Sequence, residues 1–123
     1  DYAVSLGGPY HLVAGPFDCS AGDAVSLSFA RWLNSDSLPY VRNALEASSD
    51  GINWELIWDT SEQGIIVDAQ WQIAEHDISA MAGNQETVWI RWSYAVLDRA
   101  FPYSGWNIDD IRIWTRSAGP EFE

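Results

Sequence analysis

Apolar and polar residues alternate along most of the chain with a repeat of two, the mark of strands that bury one face. Residues 24–33 show it best. Val25, Leu27, Phe29 and Leu33 share one face, and Ala24, Ser26, Ser28 and Ala30 share the other. Arg31 falls on the apolar side near the end of that run. Residues 41–48 alternate again, with Asn43, Leu45 and Ala47 opposed to Arg42, Ala44 and Glu46. Residues 86–97 are expected to form the longest strand, with Val88, Ile90, Trp92, Tyr94 and Val96 on one side. Short extended runs at 2–6 and 10–14 are split by Gly7-Gly8-Pro9, and further strands are expected at 54–58, 70–76 and 106–114.

Two stretches punctuate the pattern. Ser49-Asp50-Gly51-Ile52-Asn53 lies between alternating runs, and Asp-Gly in that setting predicts a hairpin. Residues 77–82 predict one helical turn capped by Asp77. The last strand breaks phase: strict alternation puts Ile108 and Ile111 on opposite faces. One extra residue at Asp109-Asp110, a β-bulge, returns both to the inside and splays two carboxylates at one point.

Eight or nine strands with almost no helix predict an all-β fold, a two-sheet antiparallel jelly-roll β-sandwich. The apolar faces then meet between the sheets. A length of 123 residues suits one domain. Residues 1–116 are read as the module and 117–123 as a linker or vector-derived tail.

Composition narrows the function classes. Apolar residues make up 47% and eight residues are Trp, which excludes a disordered chain. The 18 acidic residues face six basic ones, all Arg, for a net charge of −12. Such a surface repels nucleic-acid phosphates and anionic membranes. No apolar run reaches the roughly 20 residues of a membrane-spanning helix. Cys19 is the one cysteine, so no internal disulfide can form, and a small buried thiol is expected.

Candidate chemistry is sparse. His11 has no obvious acid or nucleophile near it in sequence, His76 lies at a strand end beside Glu75 and Asp77, both are read as structural, and no hydrolase, zinc or phosphate-loop motif occurs. Asp109-Asp110 is the best nucleus for a calcium site, since calcium takes several oxygen ligands. Aromatic and Arg side chains recur in two loops: Tyr40 and Arg42, then Arg99, Phe101 and Tyr103. They form a candidate ligand surface of Tyr40, Arg42, Arg99 and Tyr103. The alternatives are that Phe101 and Tyr103 cover the end of the core and that the Arg residues pair with nearby Asp side chains such as Asp98 or Asp36.

Five stretches in order then resemble a known group: Ser28-Phe29-Ala30-Arg31-Trp32-Leu33, Glu46 to Trp54, Asp77-Ile78-Ser79, Val88-Trp89-Ile90-Arg91-Trp92 and Gly105-Trp106-Asn107-Ile108-Asp109-Asp110-Ile111. Over roughly residues 10–114 the chain resembles MAM-like jelly-roll accessory modules of secreted bacterial hydrolases. The resemblance implies a non-catalytic, secreted module, with structural calcium held by Asp36, Asp109 and Asp110. The second acidic position of that pattern is Val41 here. The resemblance also implies that Cys19 faces Ser104, where related modules carry a second cysteine. The leading expectation is carbohydrate binding, with a polysaccharide or glycan partner, by a monomeric module of a secreted polysaccharide-active enzyme. The alternative is a structural or adhesive module flanking a secreted protease or belonging to a cell-surface protein.

Overall fold

The computed structural model describes residues 7–35, 41–60, 66–96 and 105–116. Eight strands and one helical turn follow in order: β1 (Gly7–Phe17), β2 (Ala24–Ser35), β3 (Val41–Ser48), β4 (Glu55–Asp59), β5 (Ile66–Val67), β6 (Gln72–Asp77), α1 (Ser79–Ala82), β7 (Val88–Val96) and β8 (Gly105–Arg116). They form two antiparallel sheets. One has the order β1-β7-β3-β4; in the other, β2 pairs with β8 on one side and with β6 and β5 on the other.

The alternation of β2 does what its spacing dictates. Val25, Leu27, Phe29 and Leu33 are at most 2% exposed, and the first three pack in one cluster with Leu45, Ala47, Val88, Ile90 and Trp92 of the opposite sheet. Each such aliphatic side chain contributes about 1.5–3 kcal/mol when fully buried. The Phe29 and Trp92 rings meet edge to face at 5.4 Å, joining the two layers.

Arg31 stays on the inner side at the margin of the sandwich. Its guanidinium pairs with Asp68 at 3.1 Å, and Asp68 also accepts the Leu33 backbone N–H at 2.8 Å. A charge at the edge of a core is tolerated because both partners have their hydrogen bonds.

The bulge in β8 is present. Ser28 stands opposite Arg112 and Ala30 opposite Asp109, so β8 spends one more residue than β2 over that step. Asp110 takes it up with φ +54°, in the left-handed region. Ile108, Ile111 and Ile113 all pack on the core as a result.

Several expectations are corrected. β7 has 9 residues, whereas β2 and β8 have 12 each, so residues 86–97 do not hold the longest strand. The phase break at the bulge had hidden the length of β8. Gly7-Gly8-Pro9 does not split a strand but begins β1, which runs on to Phe17 with register shifts near both ends. Residues 2–6 lie outside the described residues. The helical turn begins at Ser79, with Ile78 at the cap position. The Asp77 carboxylate still accepts the Ser79 N–H, at 3.0 Å.

Ser104, the expected partner of Cys19, lies outside the described residues; Gly105 is opposite Asn34 at the far end of β2. Cys19 is fully buried at the near end, where its N–H donates to the Gln85 carbonyl at 2.8 Å. Ten residues of strand, about 33 Å, separate Ala24 from Asn34. The thiol packs in the main core cluster with Val25, Ile78 and Ala82, and burial raises its pKa, aided by the Asp18 charge.

Candidate binding surfaces

The strand ends flanking residues 36–40 and 97–104 come together, with Asn34 opposite Gly105 and Val41 opposite Val96. Of the expected ligand residues only Arg42 is described; Tyr40, Arg99 and Tyr103 lie outside the described residues. Arg42 projects from the outer face of β3 and binds Asp59 of β4 through two nitrogens, at 3.0 and 3.2 Å. An aspartate does therefore hold this arginine, contributed by the hairpin partner.

Asp109 and Asp110 sit halfway along β8, exposed on its outer face. The Asp109 carboxylate accepts the Asp110 N–H at 2.7 Å, and Asp110 pairs with Arg112 at 3.3 Å. Asp36 lies outside the described residues. Among the described residues, no three His, Cys, Asp or Glu side chains are grouped to hold a metal ion.

The outer face of the other sheet carries a polar chain that local patterning does not reveal. Arg91 of β7 pairs with Glu46 of β3 at 2.9 Å and lies over the Trp54 ring at 4.1 Å. The Ser93 hydroxyl donates to the same carboxylate at 3.3 Å and lies 2.8 Å from His11 Nδ1. Serine, histidine and carboxylate together raise the question of nucleophilic catalysis. A nucleophile must reach its substrate, and Ser93 is only 5% exposed. The cluster fixes the register of β1, β7 and β3.

Between the sheets, Trp106 of β8 separates two cavities. One of about 230 Å³ is lined by Leu12, Trp92, Tyr94, Trp106 and Ile108 together with the His11–Ser93 pair. The other, about 130 Å³, is lined by Phe29, Arg31, Trp58, His76 and Trp106. Trp106 meets Trp58 at 6.0 Å, and the indole N–H groups of Trp92 and Trp106 are buried without an acceptor among the described residues. The aromatic end of the core is thus less tightly filled than the aliphatic end. His76 stacks on Phe29 there, and its pKa is lowered by burial and then by the Arg31 charge. It remains neutral at neutral pH, which suits a ring packed in a core.

Local signals for some of these groups exist. Arg91 and Ser93 are the polar positions of an otherwise apolar alternating strand. Trp114 follows once the bulge is carried forward: with Ile111 and Ile113 inside, Arg112 and Trp114 must face out. The contacts between strands distant in sequence carry no local signal.

No protein-family model matches the chain, and no curated protein matches it. Solved structures do. A cleaved adhesin domain of Lys-gingipain from Porphyromonas gingivalis superposes with a TM-score of 0.57 at 14% identity, over 90% of this chain and 66% of that one. A second cleaved adhesin domain of the same protein gives 0.58 at 13% identity, over 90% and 66%. The chain therefore spans a little under two thirds of those adhesin domains, and the likeness establishes a shared fold.

Proposed function

We propose that this chain is a non-catalytic adhesive module of a secreted or surface-displayed bacterial protein. The likeness to two adhesin domains over 90% of the chain carries the reading. Two features of the molecule support it. In the one serine–histidine–carboxylate grouping among the described residues, the serine is only 5% exposed. The surface also keeps large side chains in solvent, with Trp71 and Trp114 each 45% exposed and Ile73 68% exposed. Exposed indoles on a rigid sheet are suited to contact with a partner surface. A fold by itself does not set function, so the reading needs a direct measurement.

Beads coated with the 123-residue chain should adhere under flow to at least one surface among collagen, fibrin and polysaccharide films, and beads coated with heat-denatured chain should not. Turnover of ester, peptide or glycoside reporter substrates by the purified chain would overturn the reading, as would equal adherence of native and denatured coatings.

A further inference from the structure

The outer face of the sheet built from β8, β2 and β6 is a groove. Outward residues of the central strand β2 are Ala24, Ser26, Ser28 and Ala30, then Trp32. Larger residues flank them: Arg116, Trp114, Arg112 and Asp109 on β8, and Asp77, Glu75 and Ile73 on β6. At one end the groove deepens into a cavity of about 270 Å³ lined by Ala24, Ser26, Asp77, Ser79, Trp114 and Arg116. At the other end Trp32 meets Trp71 edge to face at 5.8 Å. Six residues of strand, about 20 Å, separate Ser26 from Trp32.

Two features mark the cavity end as built for a ligand. The Trp114 ring is 45% exposed beside it. One oxygen of Asp77 accepts both the N–H and the hydroxyl of Ser79, at 3.0 and 2.5 Å, which fixes the carboxylate and leaves its second oxygen available. These bonds, with a smaller contribution from Arg116, hold the Asp77 carboxyl below its usual range, so it stays ionised.

We propose that this groove binds a segment of neutral polysaccharide, with one sugar ring stacked on Trp114 and its hydroxyls shared among Asp77, Arg116 and Ser26. A carboxylate accepts from hydroxyls and a guanidinium donates to them, so the pair recognises a polyol from both sides. The indole face takes the apolar face of the ring. Glu75, Asp77, Asp109 and Asp110 along the flanks, within a chain of net charge −12, select against an anionic chain. The continuation of the groove to a second indole pair favours a polymer over a single sugar. The inference rests on the reading of the chain as a non-catalytic binding module and names the partner of one face.

Affinity electrophoresis of the full chain tests it, in gels containing laminarin, galactomannan or xyloglucan, with alginate as the anionic counterpart. At least one neutral polymer should retard the chain. Trp114→Ala should weaken that retardation at least tenfold without changing Tm. Trp114→Phe should keep part of it. Asp77→Asn, which retains an oxygen for the Ser79 N–H, should weaken it severalfold, and Arg42→Ala should leave it unchanged. Retardation by none of the neutral polymers, retardation by alginate alone, or retardation that survives Trp114→Ala would each overturn the proposal. Adherence of beads to protein films without retardation in any gel removes the groove while leaving the adhesive reading. Substrate turnover removes that reading itself.

Discussion

Deleting Asp110 should leave the fold intact and raise its stability. Asp110 is the extra residue of the β8 bulge, held at φ +54°. Without it, Ile111 falls opposite Phe29 and Arg112 remains opposite Ser28. Trp106, Ile108, Ile111 and Ile113 then alternate inward without interruption. A residue with a Cβ costs about 1–2 kcal/mol in the left-handed region, somewhat less for Asp. That cost disappears. The deletion also removes the Asp110–Arg112 ion pair, whose side chains are 57% and 68% exposed. An exposed pair contributes about 0–1 kcal/mol. The balance is a gain of up to about 1 kcal/mol, or a rise of about 4 °C in Tm for a domain of this size. Deleting Arg112 is the control. It turns Ile113 to solvent and Trp114 into the core, losing up to about 1.5–3 kcal/mol of burial and adding about 1–3 kcal/mol of overpacking. Thermal melts followed by near-ultraviolet circular dichroism rank the two variants. If deleting Asp110 lowers Tm as far as deleting Arg112, the bulge is not a single-residue insertion into an otherwise regular ladder.

Three further outcomes are expected. His76 has a lowered pKa in the folded chain, so its contribution is complete above the ordinary value of 6.5 and falls as pH drops through the folded value; Tm measured from pH 8 to 5 should decline, and His76→Phe should flatten that part of the curve. Asp50 is held far below the ordinary 3.8 by the N–H groups of Asn53 and Ile52, then by the Asn53 and Ser48 side chains, so its contribution is present above pH 4 and lost on further acidification; Asp50→Ala should lower Tm at pH 7 and weaken the acid dependence below pH 4. Glu46→Ala strips Arg91 of a partner in a pair only 16–20% exposed, and should cost about 2 kcal/mol in urea melts while altering Trp54 fluorescence as the guanidinium leaves the ring.

The fold was legible wherever burial imposed a period on the chain. The inward set of β2 and the hairpin at Asp50-Gly51 follow from local pattern, and so does the bulge, because two isoleucines out of phase had one economical solution. What local pattern does not hold is register between distant strands. Glu46 and Arg91 are 45 positions apart, and only the pairing of β3 with β7 brings them together. Glycine and proline misled at the start of β1, where an edge strand tolerates the interruption that a central strand would not. The groove on the outer sheet was half visible. Its small floor residues were evident in the alternation of β2, but its walls come from β6 and β8, whose partners the sequence does not name.

The chain enters and leaves the sandwich at opposite ends. Gly7 opens β1 opposite Val96, at the end where Val41 begins β3, while Arg116 closes β8 opposite Ala24, one full strand length away. A pull between the two therefore runs parallel to the strands. It loads the β1–β7 and β8–β2 ladders in shear, so their hydrogen bonds stretch together instead of opening one after another like a zip. Such an element transmits tension along its long axis while its outer faces, which carry the side chains open to a partner, stay parallel to the line of force.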